Sequence, residues 1–260
     1  MDKNLVEIKN YWDEQARNNV NTSLATSPDT IAYEMELEQM KKRLPESCKV
    51  LDIGCGNGIK GIELAKTQNI EYFGVDYSNE MILQAQKMIE ATDLNLKGNA
   101  KFFTGNILEA ESINFDKFDV VMTDRCIINL NTFENQVEAV KNIHSVLKEN
   151  GTYLMFENSL KSLENLNEAR RAYNLPDINV RWHNIYIEEE RFFNAIIDYF
   201  DVEETISFAS TYYLISRTLN ALLTDKKNQV DYMSDLNKLS AKLPALGDFS
   251  PLKLFILRKK

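Results

Sequence analysis

The sequence predicts an α/β fold built on a parallel, doubly wound sheet, and three observations predict it. Strand-like and helix-like segments alternate through five units between residues 49 and 157, the pattern that yields parallel strands joined by helical crossovers. One unit, Lys49–Gly61 (KVLDIGCGNGIKG), reads as a buried strand, a glycine-rich turn and the first turn of a helix. Its glycines permit positive φ and close approach of the backbone to a ligand, at the strand end where open α/β sheets place their ligands. The 260 residues, 44% apolar and 27% charged, are enough for one sizeable globular core and too apolar for disorder.

Charge and rare residues narrow the function. Lys and Arg total 30 against 39 Asp and Glu, a net charge of −9, and no basic face is visible of the kind that grips a nucleic-acid backbone. The three cysteines form no CxxC pair and there are two histidines, so neither a metal site nor a disulfide framework is expected. Reduced thiols suit a cytoplasmic protein. The first residues hold no apolar signal core. No run approaches the roughly 18 apolar residues a membrane span requires.

In order, residues 1–22 read as an amphipathic helix with Leu5, Ile8, Tyr11 and Trp12 on one face. A second helix spans 29–44, capped by Asp29 and ended by Pro45. Strand Lys49–Ile53 follows, then a helix from about Gly58. Glu71–Asp76 is the second strand, and Asp76 at its tip is a bidentate acceptor suited to ribose hydroxyls, or else a cap for the next helix. That helix runs from Met81 to Ala91. Residues 100–108 give a third strand and its exit, Phe118–Asp124 an apolar fourth strand, Phe133–Leu147 a helix carrying His144 as a structural residue, and Thr152–Glu157 a fifth strand.

The string Gly56–Gly61 matches GxGxxG, the dinucleotide fingerprint, and an NAD-dependent oxidoreductase is one reading of it. Asp52 inside the strand points elsewhere. The run Val50-Leu51-Asp52-Ile53-Gly54-Cys55-Gly56-Asn57-Gly58 resembles the first motif of class I S-adenosylmethionine (SAM)-dependent methyltransferases. The resemblance implies a Rossmann-like, mostly parallel, seven-stranded doubly wound sheet with helical insertions in the C-terminal half. It implies SAM as cofactor and S-adenosylhomocysteine as product. Asp52, Gly54, Gly56 and Asn57 then form the cofactor cradle, and Asp76 binds the ribose. Tyr77 and Met81 pack on the adenine. Asn106 meets the base edge and Ile107 its face, unless Gly105-Asn106 is a plain turn. Asp124 attracts the SAM ammonium and Arg125 holds an anionic acceptor, or the two simply pair with each other. Tyr11 and Trp12 belong to a lid over the cofactor, or to a helix docked on the core.

The second half is less regular. Residues 159–175 read as a helix. In Asn179–Ile187 (NVRWHNIYI), Arg181, Trp182, His183, Asn184 and Tyr186 crowd into one loop, which resembles an acceptor-binding loop. Trp182 and Tyr186 offer flat walls and His183 and Asn184 directional hydrogen bonds. His183 is the candidate general base, with Glu157 second; the alternative is a buried structural loop. Asp198–Phe208 reads as the sixth strand. A helical insertion over 212–243 carries Tyr212, Tyr213 and Arg217, read either as acceptor contacts or as packing and anchoring groups. Leu252–Lys259 closes the sheet as the antiparallel seventh strand that the resemblance implies.

A single domain is expected over 1–260. It divides into a helical lid (1–45), a SAM-binding core (46–157) and acceptor-side insertions with the last two strands (158–260). No Asn/Asp-Pro-Pro-Tyr tetrapeptide of the amino-methylating DNA enzymes occurs. The segments TDRCIINL, LNEARRAYNL with RWHNIYI, and GDFSPLKLFILRK resemble bacterial methyltransferases encoded among surface-polysaccharide (capsule) genes. This implies methylation of an oxygen of a sugar, a nucleotide-activated sugar or a phosphoramidate. Arg125, Arg170, Arg171, Arg181 and Arg217 are candidates to meet an anionic or nucleotide-linked small acceptor, or are ordinary ion-pairing residues. The rival to an enzyme is a SAM-binding partner protein without catalysis.

Overall fold

Seven strands form one sheet in the computed structural model, which describes residues 3–20, 22–91, 96–113, 115–224 and 231–260. They are β1 (Lys49–Ile53), β2 (Glu71–Asp76), β3 (Asn99–Thr104), β4 (Phe118–Asp124), β5 (Leu147–Asn158), β6 (Phe200–Ile206) and β7 (Leu252–Lys259). Their order is β3-β2-β1-β4-β5-β7-β6. The first five are parallel, and β7 lies antiparallel between β5 and β6. The strand order turns outward in both directions from β1 and β4, so their C-terminal ends open the crevice in which such sheets bind ligands.

Successive side chains of these strands enter two different cores, because the sheet is covered on both faces. Leu51, Ile53 and Val121 join Val140 and Ile143 of α5 (Phe133–Val146) on one face, with Phe192 of α7 (Glu189–Ala195). Val50, Val120 and Met122 join Leu37 and Met40 of α2 (Thr30–Arg43), Ile62 of α3 (Ile59–Thr67) and Ile82 of α4 (Asn79–Ala91) on the other. Gly61 is a packing requirement there: a Cβ on it would sit 2.2 Å from the Tyr72 ring.

Strands β1, β2, β4 and β7 have the bounds read from the sequence. Asp29 caps α2 as expected, accepting the Ala32 N–H at 3.0 Å. The first helix, α1, covers Lys3–Asn18; residues 1, 2 and 21 of the stretch read as helical lie outside the described residues. β5 starts at Leu147, earlier than Thr152, because its irregular lead-in is tied to β7: Lys259 Nζ donates to the Leu147 carbonyl at 3.0 Å. The helix at 159–175 is α6 (Leu160–Ala172), capped by the Ser159 hydroxyl. His144 packs its ring edge-on to Tyr199 and Phe200, a structural role.

The insertion expected as one helical stretch over 212–243 is instead broken. It comprises α8 (Ser210–Leu214), a wide π-turn at Ile215–Leu219, α9 (Asn220–Leu223) and α10 (Asp235–Ser240). Its residues 225–230 lie outside the described residues. Among the described residues no helix is long and apolar enough to cross a membrane.

Candidate active site

The first cleft lies over the ends of β1, β2 and β4. Gly54, Gly56 and Gly58 all take positive φ (82°, 56° and 76°), which only glycine adopts freely. The Val75 carbonyl accepts from Gly54 N–H (2.7 Å) and Cys55 N–H (3.1 Å), bending the loop towards β2. Asp76 is recessed there. Its Oδ2 accepts the Gly56 N–H (2.9 Å) and its Oδ1 the Ser78 N–H (2.8 Å), and desolvation lifts its pKa to about 6. Asp52 is buried beside it; Tyr72 Oη donates to its Oδ2, Oδ1 has no partner among the described residues, and burial raises its pKa to about 7. Tyr77, Met81 and Ile107 line the same cleft.

Two cradle residues spend their side chains locally. Asn106 lines the cleft, but its Nδ2 donates to Glu109 and its Oδ1 accepts the Leu108 N–H, closing the turn at Gly105-Asn106. Asn57 Nδ2 donates to the Thr22 carbonyl at 2.9 Å, fastening the segment after α1.

A buried ion quartet floors this cleft. Arg125 Nη1 and Nη2 donate to the two oxygens of Glu36 (2.6 and 3.0 Å), Lys60 pairs with both Glu36 and Asp124, and Arg125 Nη2 lies 3.3 Å from Asp124 Oδ1. Burial works against the Glu36 carboxylate, yet Arg125 and Lys60 hold its pKa down at about 2. Arg125 adopts φ of +53° at this crossing point, the kind of backbone cost that surrounding structure must impose. Lys60 and Glu36 escaped sequence reasoning. A signal for Glu36 was present: it sits on the stripe Tyr33, Glu36, Leu37, Met40 that α2 turns to the core, all buried.

The second cleft adjoins the first, and Trp12, Thr26, Arg125 and Asn129 line both. Trp12 Nε1 donates to Asn129 Oδ1 at 3.1 Å, and Asn129 in turn donates to the Arg125 carbonyl. Tyr11 does not face the first cleft; its ring stacks on His183 with centroids 4.6 Å apart, so α1 is locked to the 179–187 loop. His183 lines the second cleft, is buried and, among the described residues, has an unpartnered Nδ1. Burial, with the Arg181 charge second, depresses its pKa to about 4, and it is neutral at physiological pH. Arg181, Asn184 and Tyr186 line this cleft too, and the buried Asn184 Oδ1 has no partner among the described residues.

Four candidate site residues are engaged elsewhere or stand apart from an open acceptor site. Glu157 lines neither cleft: it is fully buried, burial raises its pKa to about 7, and its carboxylate accepts the N–H groups of Cys126 (3.0 Å), Ile127 (2.9 Å) and Ile128 (3.2 Å), which holds the loop after β4 in place. Trp182 forms no cleft wall; it is 65% exposed, edge-on to the Tyr11 and His183 rings. Tyr212 is buried and donates to Asp29 Oδ1 (2.7 Å), while its neighbour Tyr213 lines the cleft. Arg217 does line it, but its guanidinium is bound to Asp29 Oδ2 at 2.5 Å and lies over the rings of Tyr213 and Tyr232.

A family model described as a methyltransferase domain matches residues 44–233. The chain belongs to that methyltransferase family. Among curated proteins it is similar to YqeM of Bacillus subtilis (strain 168), described as a candidate methyltransferase, with 29% identity over 61% of this chain and 62% of that one. It is also similar to the human EEF1A lysine methyltransferase 2, with 32% identity over 52% of this chain and 58% of that one. The chain thus spans about six tenths of the length of these relatives. Among solved structures it shares the fold of the N-methyltransferase NodS of Bradyrhizobium japonicum WM9, in complex with S-adenosylhomocysteine. That match has a TM-score of 0.58 and 12% identity, and covers 97% and 98% of the two chains.

Membership of a methyltransferase family favours SAM over a dinucleotide as the group that the glycine loop would hold. The first cleft of the methyltransferase fits such a group. It offers a three-glycine loop, a buried Asp52 Oδ1 that lacks a donor, and the recessed Asp76. The reach of the arginines is more restricted than the sequence suggested. Arg125 is committed to Glu36, and Arg217 to Asp29. Arg170 donates to the carbonyls of Pro176 and Arg217, and Arg171 pairs at the surface with Asp177 and Glu164.

Proposed function

We propose that the methyltransferase transfers the methyl group of SAM to an oxygen of a small hydroxylated acceptor seated in the second cleft. The acceptor class we propose is a bacterial surface-polysaccharide precursor: a sugar, a nucleotide-activated sugar or a phosphoramidate. The class rests on the likeness of the segments at 123–130, 166–187 and 247–259 to methyltransferases of capsule gene clusters. The transfer itself rests on one observation, the wall of Trp12, Thr26, Arg125 and Asn129 that the two clefts share. Clefts that share these lining residues adjoin, so the sulfonium methyl group in one would meet an acceptor oxygen from the other where they join.

The cofactor supplies a methyl group already activated on a sulfonium, so the residues chiefly position and desolvate. Asp76 would hold the ribose hydroxyls on the lone pairs that Gly56 and Ser78 leave free. Asp52 Oδ1 would take a donor of the amino-acid end, Met81, Tyr77 and Ile107 would flank the base, and Asn106 its edge. The quartet of Glu36, Asp124, Lys60 and Arg125 is formally neutral and leaves no net cation facing a sulfonium. Trp12, carried on α1 and braced by the stacking of Tyr11 on His183, would shut water out of the junction. His183 would accept the hydroxyl proton, for which the imidazole must be neutral.

His183→Ala is therefore expected to bind SAM within about twofold of the wild type by calorimetry and to lose turnover by roughly 100-fold. With SAM saturating, kcat/KM for the acceptor should climb as pH rises through about 4, the pKa of His183 in the ligand-free protein. Unchanged turnover in His183→Ala would remove it as the base. SAM binding without turnover on any acceptor would favour a non-catalytic partner protein instead.

A further inference from the structure

We propose that the acceptor carries a single negative charge flanked by hydroxyl groups, and that Arg181 selects for it. The proposal rests on the second cleft being the acceptor site. Three cations line that cleft, and two are already spent: Arg125 on Glu36 and Asp124, and Arg217 on Asp29. For either to bind a ligand anion, it must leave a buried carboxylate alone, which is strongly unfavourable. Arg181 differs. Among the described residues it has no carboxylate partner, it lies at the exposed rim, and its positive field reaches both His183 and Tyr186 inside. One uncompensated guanidinium matches one anionic group, as a forked pair with a carboxylate or a singly charged phosphate ester.

The neighbouring atoms fix the rest of the ligand. Among the described residues Asn184 Oδ1 is buried, unpartnered and an acceptor only, and His183 Nδ1, on the same cleft, is buried and unpartnered. Buried polar atoms are rarely left unsatisfied. Both residues line the same cleft as Arg181, so a ligand that satisfies them brings O–H or N–H donors along with its anion. A hexuronic acid has this pattern. A neutral hexose lacks the charge, and a nucleoside-diphosphate hexose brings a second negative charge for which no cation of the cleft is free.

The test is calorimetric binding of a hexuronate, its matched neutral hexose and a nucleoside-diphosphate hexose to the full chain saturated with S-adenosylhomocysteine. SAM-dependent turnover would be followed on the same set. The hexuronate should bind at least about tenfold tighter than the hexose, the worth of one charge-assisted contact. It should also bind tighter than the diphosphate sugar. Arg181→Gln, at an exposed and unpaired position, should keep its fold and SAM affinity and erase the preference for the hexuronate. Equal binding of hexose and hexuronate, tighter binding of the diphosphate sugar, or a preference that survives Arg181→Gln would overturn the proposal while leaving a small hydroxylated acceptor in place. Absence of binding and turnover across all three would instead sink the acceptor reading, and this proposal with it.

Discussion

Asp76→Ala is expected to weaken SAM binding by about 100-fold or more. Two losses combine. The bidentate acceptor for the ribose diol disappears, and each hydrogen bond to a charged group is worth roughly 1.5–3 kcal/mol. The N–H groups of Gly56 and Ser78, which Asp76 gathers at 2.9 and 2.8 Å, are released together, and the glycine loop keeps only the Val75 carbonyl as its tie to β2. Asp76→Asn keeps an acceptor and should fall in between. The readout is calorimetric, with thermal protection by SAM as a second measure: at 100 times Kd a ligand adds about 2.7 kcal/mol, and the alanine variant should show almost none at the same concentration. The wild type carries a pH signature of the same residue. Its folded pKa, raised to about 6 in the free protein, means that the carboxylate becomes protonated as pH falls through that value. SAM affinity should therefore decline below about pH 6, and that decline should vanish in Asp76→Asn.

Glu36→Ala is expected to produce the largest loss of stability of any single change considered. It leaves Lys60 and Arg125 to share Asp124 in a buried site, and breaking a buried ion pair from one side costs about 3–5 kcal/mol. For a chain of this size that corresponds to a Tm lower by roughly 6–20 °C, measurable by calorimetry or circular dichroism. The sign of the pH effect follows from the direction of the shift. Glu36 is held near 2 in the folded chain, below its ordinary value of 4.5, so its contribution is present above about pH 4.5 and is lost as pH falls through 2. Glu36→Gln should be less stable than wild type near neutrality and should show less of this acid-induced loss.

The parts of the fold legible in the sequence were those specified locally. Strands β1, β2 and β4 are apolar runs ending in a turn or an acid, and β7 is a run of Leu, Phe and Ile bounded by Pro251. The Asp29 cap is readable because capping is a contact across three residues. Helix α7 was missed because seven residues show barely two turns of periodicity. The π-turn at Ile215–Leu219 adds a residue to the helical repeat, and helical spacing then cannot say which of two adjacent tyrosines faces the cleft. Tyr213 does, and Tyr212 is spent on Asp29.

The site divides in the same way. The glycine loop, Asp76 and the crowding of polar groups around His183 are carried by short motifs. The partners that decide what each charge can do lie far off in sequence. Arg125 meets Glu36 across 89 residues, Lys60 meets Asp124 across 64, and Arg217 meets Asp29 across 188. Glu157 stands at a strand end, as a catalytic acid would, but three N–H groups of a loop some 30 residues earlier consume it. Sequence proximity gave the inventory of ions, and long-range pairing determined which remained available.

The most direct measurement is the formation of S-adenosylhomocysteine and of methylated product when the protein is given methyl-labelled SAM with sugars, hexuronates, nucleotide-activated sugars and phosphoramidates. Two clefts sharing the Trp12 wall predict acceptor-dependent release, with the label recovered one-to-one on an oxygen of the small acceptor. Label appearing only on a protein or nucleic acid, or SAM binding with no product from any small molecule, would contradict it.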